Sequence, residues 1–143
     1  MKNLLVKVID DTVHYFRKTP YLIGEITIND FYEEFEMQLV WWKREDYERQ
    51  WKEGLERIKT DDKSCLITRI QNPFEGPFIE WWVLHKKDNK IYIQNQWLFH
   101  EYYEELIGAK PFTVDNCYDF VPPYKSPYLE DGTKFSEWIV DIE

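Results

Sequence analysis

Residues 44–58, Arg44-Glu45-Asp46-Tyr47-Glu48-Arg49-Gln50-Trp51-Lys52-Glu53-Gly54-Leu55-Glu56-Arg57-Ile58, decide the fold class. Tyr47, Trp51, Gly54, Leu55 and Ile58 recur at spacings of three and four, which puts them on one stripe of an amphipathic helix. The opposite face is charged, with Glu45 and Arg49, Glu48 and Lys52, and Glu53 and Arg57 set four apart. Each pair has its acid on the N-terminal side, the better orientation, worth ~0.2–0.5 kcal/mol apiece. Glycine inside a helix costs about 1 kcal/mol relative to alanine, so Gly54 predicts a close approach to a neighbouring sheet. Thr60-Asp61-Asp62-Lys63 is a polar stop.

Strands are expected on both sides of this helix. Upstream, residues 3–9 alternate weakly and Val13-His14-Tyr15-Phe16 continues them; Ile26-Thr27-Ile28 alternates again. After Asn29-Asp30 the register restarts, with Phe31, Glu33, Phe35 and Met37 set against Tyr32, Glu34, Glu36 and Gln38. Neither set is cleanly apolar, which predicts a bulge or a partly open sheet face. Downstream, Cys65–Ile70 leads into the loop Asn72–Pro77, and Phe78–His85 and Ile91–Phe99 flank a hairpin tip at Lys86–Lys90. Trp81 and Val83 lie on one side of their strand and Trp82 and Leu84 on the other, so that strand belongs mid-sheet with cover on each face. His100–Ile107 reads as a short helix ending at Gly108, residues 109–135 as an irregular packed segment, and Trp138–Ile142 as a last strand. The expected architecture is α+β: a single domain over residues 1–143, mainly an antiparallel sheet with one amphipathic helix, about 44–58, packed on it.

Composition supports a packed core. Seven Trp, ten Tyr and nine Phe supply it, since each ring buries roughly 150–250 Å². The charge is uneven: the net charge is −9, and residues 100–143 hold ten acids against three lysines. An acidic, aromatic-rich surface suits a basic partner and repels the phosphates of a nucleic acid; acids that simply keep an aromatic-rich chain soluble are the alternative. Lys7 and the acids at 10–11 interrupt the first apolar stretch, no run approaches the ~18–20 residues a membrane helix needs, and a cytoplasmic protein is expected. Cys65, in an apolar strand pattern, and Cys117 read as small hydrophobes rather than as a disulfide or zinc ligands.

Chemistry-bearing motifs are sparse. His100 and Glu104 sit four apart, but a third metal ligand is missing, so no cofactor and no metal are expected. Glu33/Glu34 and Glu104/Glu105 are adjacent carboxylates, and a glycosidase would need two held at a defined separation. Trp41-Trp42 and Trp81-Trp82 are candidate sugar platforms, although in each pair one ring should point to the core. A small-ligand or sugar-binding domain using aromatic clefts therefore stays open, as does a hydrolase using paired glutamates.

Taken together, Trp42, Tyr47, Gln50-Trp51, Gly54-Leu55 and Arg57, then Ser64 and Leu66-Ile67-Thr68, resemble the immunity proteins of contact-dependent growth inhibition, the CdiI family. Ile91–Gln96, Asp119-Phe120-Val121-Pro122 and Ser136-Glu137-Trp138 extend the resemblance, which runs from about Gly24 to the C-terminus. Lys43 departs from it, because a small capping residue is expected before the helix. The resemblance implies a cytosolic antidote with no activity of its own, whose partner is the cognate toxin C-terminal domain of a large exported protein, often a nuclease. Immunity proteins meet their toxins through individual surfaces, so the motifs transfer no binding residues. Acids flanked by aromatic anchors are the expected contacts: Glu101, Tyr102, Glu104, Glu105, Asp115 and Asp119, with Tyr32, Glu34 and Glu36 as a second patch. Direct nucleic-acid or membrane binding is not expected, and the oligomeric state stays open.

Overall fold

The computed structural model describes residues 3–71, 78–99 and 112–142. Four strands precede the helix: β1 (Leu4–Val8), β2 (His14–Phe16), β3 (Thr19–Ile28) and β4 (Phe31–Gln38). The helix α1 spans Arg44–Thr60. After it come β5 (Lys63–Ile70), β6 (Phe78–Lys87), β7 (Lys90–Phe99), a 3-10 turn at Cys117–Phe120, and β8 (Glu137–Asp141). The strands form two antiparallel sheets. In the first, β3 is paired by β4 along most of its length, by β1 over Gly24–Ile28 and by β2 over Thr19–Tyr21. The second is a meander in the order β5-β6-β7-β8. The α+β expectation holds.

Local differences from expectation have local causes. His14–Phe16 does not continue β1; it is a separate strand on β3, past a break where the Asp10 carboxylate accepts the Thr12 N–H. No bulge interrupts β4, whose register runs unbroken from Ile28↔Phe31 to Tyr21↔Gln38, because Asn29 takes the left-handed conformation (φ 53°) and closes the turn. The irregularity falls instead in β5, between Ile67 and Arg69. The other alternative, an open face, is observed: Phe35 and Met37 are buried while Tyr32, Glu34 and Glu36 are exposed. The β6–β7 hairpin turns on Asp88 and Asn89, both at positive φ, which suits the primed turns that match strand twist.

The helix begins where expected despite its unusual N-cap. The Lys43 side chain, a donor, cannot accept from the first helical N–H groups, but its carbonyl accepts from Asp46 and Tyr47, and the Asp46 carboxylate accepts from the Lys43 backbone N–H at 2.9 Å. The anticipated side-chain pairs do not form. Arg44 pairs with Glu48, Arg49 with Glu53 and Arg57 with Asp61. Partners outside the helix redirect these bases: Arg44 also meets Asp11, Arg49 meets Asp115 at 3.0 Å, and the Arg57 guanidinium lies over the Tyr118 ring at 4.2 Å.

Helix α1 closes the edge of the second sheet. Among the described strands β5 pairs with β6 alone, and its other edge would present unpaired peptide groups. Gln50, fully buried, donates to the Cys65 carbonyl and accepts from the Ile67 N–H, each at 2.7 Å. The Trp51 indole donates to the Ile67 carbonyl at 2.7 Å, the Tyr47 hydroxyl accepts from the Ile70 N–H at 3.3 Å, and the Ser64 hydroxyl donates to the Gly54 carbonyl at 2.8 Å. Such proximity requires a glycine: a Cβ on Gly54 would sit well under 3.0 Å from the Cys65 carbonyl oxygen.

The second sheet is covered on both sides. Trp81 packs against Phe112, while Trp82 meets Phe31 of β4 and Trp138 of β8. Both indoles are buried, so this pair offers no platform for a sugar ring; of the other pair, Trp42 is buried and Trp41 exposed.

Candidate functional site

The residues expected to bind a partner fall into separate places. Tyr32, Glu34 and Glu36 project from β4, with the Tyr32 hydroxyl donating to the Glu34 carboxylate at 2.9 Å. Glu25 on β3 stands directly opposite Glu34 and pairs with Lys7 at 3.4 Å. Glu25 and then Glu34 hold the Tyr32 phenol well above its ordinary range, since losing its proton there would add a third negative charge. Asp115 is exposed and bound to Arg49. Asp119, on the 3-10 turn, helps line a cavity of about 570 Å³ together with Arg57, Lys63 and Tyr118. Glu101, Tyr102, Glu104 and Glu105 lie outside the described residues, as do His100 and the helix expected at 100–107.

The described acids of the C-terminal third are spread across different elements. Asp141 pairs with Lys90, Glu137 accepts from Tyr124 and Gln94, and Asp131 caps the Thr133 backbone. Sequence clustering placed these acids together; in the structure β8, the 3-10 turn and the loop before β8 carry them.

Glu33 and Glu34, read as an adjacent carboxylate pair, point to opposite sides of β4 and share no centre. Glu33 has a different companion. Partial burial pushes its carboxyl above the ordinary range, and Glu80 on β6 is raised by burial and also feels Glu33; Arg69 and the Thr68 hydroxyl act in the opposite sense. The Thr68 hydroxyl lies 3.1 Å from the Glu80 carboxylate. Sequence reasoning passed over Glu80, whose signal was a carboxylate in a strand apolar on both sides.

Two further groups complete the inventory. Cys65 and Cys117 are free, fully buried and 3.8 Å apart, and burial pushes the Cys65 thiol up. His85 is buried, with Nε2 2.8 Å from the Pro122 carbonyl, and burial pulls its pKa down. Its ring lines a cavity of about 620 Å³ with Asp62, Lys87, Tyr92 and Tyr124. The Tyr124 phenol, beside Glu137, is raised to about 12, chiefly by desolvation. Among the described residues no three His, Cys, Asp or Glu side chains come together as a metal site, and no helix is long and apolar enough to cross a membrane.

Comparison with known proteins yields one consistent result. A family model described as the CdiI N-terminal domain matches residues 37–143. The chain is 33% identical over 120 residues to the immunity protein CdiI of Enterobacter cloacae subsp. cloacae, covering 83% of this chain and 78% of that protein. A solved CdiA-CT/CdiI toxin and immunity complex from Enterobacter cloacae aligns with a TM-score of 0.79 and 27% identity, over 97% of this chain and 90% of the solved one.

Proposed function

We propose a function from one premise: this chain belongs to the CdiI N-terminal domain family. It is an immunity protein that binds the C-terminal toxin domain of its cognate CdiA and neutralises it in a tight one-to-one complex. The observation that carries this reading is the similarity to a chain of a solved toxin and immunity complex, which extends over 97% of this chain. Residues 1–143 act as one inhibitory domain, by occupying the toxin and not by chemistry of their own.

The toxin is a nuclease. A nuclease must carry a basic surface to hold its phosphates, and an antidote with a net charge of −9 is complementary to such a surface. Opposite potentials raise the association rate, which matters for an inhibitor that must act before a catalytic toxin does. The encounter takes place in the cytosol, where the toxin's substrate lies. The contacts come from acids beside aromatic side chains: Tyr32, Glu34 and Glu36 on β4, Asp115 and Asp119, and Glu101, Tyr102, Glu104 and Glu105.

Co-expression with the C-terminal domain of the cognate CdiA tests the reading. Rescue of growth and isolation of an equimolar complex are expected, together with nuclease activity in the toxin domain alone. Two folded proteins that neither associate at low salt nor rescue growth would overturn it. A toxin of another chemistry that is still bound and silenced would remove only the nuclease assignment.

A further inference from the structure

Two thiols meet inside the fold and take no part in the proposed toxin contact. Cys65 lies on β5, and Cys117 opens the 3-10 turn 52 residues further along the chain. Both are free and fully buried, and their sulfurs are 3.8 Å apart, in van der Waals contact. The segment that carries Cys117 is otherwise held to α1 and β5 by noncovalent ties. The Tyr118 hydroxyl donates to the Gln50 carbonyl at 3.3 Å, Arg57 covers the Tyr118 ring, and Lys63 Nζ donates to the Val121 carbonyl at 3.0 Å. The pair of Arg49 with exposed Asp115 adds little, because water screens it.

The surroundings suit a bond between these sulfurs. A disulfide is about 2.05 Å long, so closure asks each sulfur to move by roughly 0.9 Å, which side-chain rotation covers. Oxidation removes two thiol protons, and here those protons do little. Cys65 donates to the Cys117 sulfur, and Cys117 donates to the Val114 carbonyl at a long 3.5 Å. Thiols are weak donors, so no strong hydrogen bond is given up. The Gln50 amide, 3.9 Å from the Cys65 sulfur, keeps its bonds to the Cys65 carbonyl and the Ile67 N–H in either state. The chain has no third cysteine, so only one internal pairing exists.

We propose that Cys65 and Cys117 are a redox modification site, at which a low-molecular-weight disulfide such as oxidised glutathione converts the two thiols into one disulfide that ties the 3-10 turn to β5. In the first step one cysteine loses its proton and attacks the glutathione disulfide. That S–S bond breaks, one glutathione leaves, and a mixed disulfide remains on the protein. In the second step the other cysteine loses its proton and displaces the second glutathione. Two protein thiols are oxidised, one glutathione disulfide is reduced to two thiols, and the protons end on the departing sulfurs. Burial keeps the Cys65 thiol protonated in the closed fold, so exchange takes place while the turn is open or while the chain folds. Packing then closes over the bond. Where glutathione is held reduced the pair rests as thiols, and oxidative challenge forms the disulfide. Once formed, it keeps the segment that carries Asp115 and Asp119 from lifting off β5.

The test refolds the reduced full chain from urea in buffers of graded reduced-to-oxidised glutathione ratio. After an acid quench, mass spectrometry should show a monomer lighter by two hydrogen atoms, and peptide mapping should join the Cys65 peptide to the Cys117 peptide. Closing a loop of 52 residues costs the unfolded chain conformational freedom, so folding should favour the bond by about 1,000-fold over the same chain kept in urea. The same linkage should raise the melting temperature of the oxidised chain by roughly 10 °C, and added reductant should reverse the gain. Amide exchange across residues 117–121 should slow on oxidation. Cys65→Ala and Cys117→Ala should each melt at the same temperature with and without oxidised glutathione; where either variant fails to fold, oxidised and reduced wild type decide the matter between them. Glutathione adducts or disulfide-linked dimers in place of the internal bond would overturn the proposal. So would a bond no more favoured in the folded chain than in urea, or an oxidised chain that melts no higher than the reduced one.

Discussion

Replacing Gly54 with alanine sets two effects of opposite sign against each other, and the structure decides between them. In an exposed helix the change should stabilise by about 1 kcal/mol, because alanine has the higher propensity. Here the added methyl would lie well under 3.0 Å from the Cys65 carbonyl oxygen and within 3.2 Å of Leu66 Cδ2. The obstacle is backbone in the middle of a paired strand, so it cannot swing aside as a side-chain tip would. The helix must retreat by roughly an ångström to restore ordinary packing distances. That retreat stretches the Gln50–Cys65, Trp51–Ile67 and Ser64–Gly54 hydrogen bonds, now 2.7, 2.7 and 2.8 Å, past useful length. Each is worth ~0.5–1.5 kcal/mol net, with more lost where a buried peptide group is left unsatisfied. After the propensity gain is subtracted, a net loss of about 2–4 kcal/mol remains, or a melting temperature lower by roughly 5–15 °C for a chain of this size. Urea and thermal denaturation of Gly54→Ala, compared with Glu56→Ala on the exposed side of the same helix, measure it directly. A Gly54→Ala protein as stable as wild type would refute the claim that helix and strand are held in fixed contact at this point.

Other expectations follow from the same geometry. Gln50→Leu keeps the side-chain volume but strands the Cys65 carbonyl and the Ile67 N–H, so it should cost ~2–4 kcal/mol in urea denaturation; a loss within experimental error would mean that water reaches the β5 edge. Because burial lowers the His85 pKa, the folded chain holds this ring neutral while the unfolded chain protonates it near pH ~6.5. Its contribution is therefore complete above that pH and declines as the pH falls through the lower, folded value. Melting curves of wild type and His85→Gln should diverge between about pH 7 and 5, with the wild type falling faster, and parallel curves would contradict the burial argument. Cys65 and Cys117 should resist iodoacetamide in the native chain and react only after unfolding, as read by mass spectrometry; fast native labelling would mean that the segment around the 3-10 turn opens locally. Toxin capture should slow by about 10-fold from 50 to 500 mM salt if steering by opposite charge is at work.

Features written in short-range pattern could be read directly from the sequence. The stripe of Tyr47, Trp51 and Ile58 places the helix, Gly54 announces a close neighbour, and Asp88-Asn89 between two strands makes a hairpin, because each depends on a period or a dihedral that adjacent residues determine. Alternation along β4 likewise sends Tyr32, Glu34 and Glu36 outward whatever lies beyond the strand. Packing between distant segments carries no such signature. That Gln50 spends its amide on the edge of β5, that Cys65 meets Cys117, and that Arg69 of β5 reaches Glu36 of β4 follow only when two sheets and a helix come together. The acids after residue 112 make the same point: β8, the 3-10 turn and the loop before β8 carry them, and each takes partners from distant parts of the chain, Asp115 with Arg49, Asp141 with Lys90 and Glu137 with Gln94. Charge and periodicity are local properties that a sequence states outright, whereas the surroundings of a charge, and hence what it can bind, are created by contacts between residues far apart in the chain.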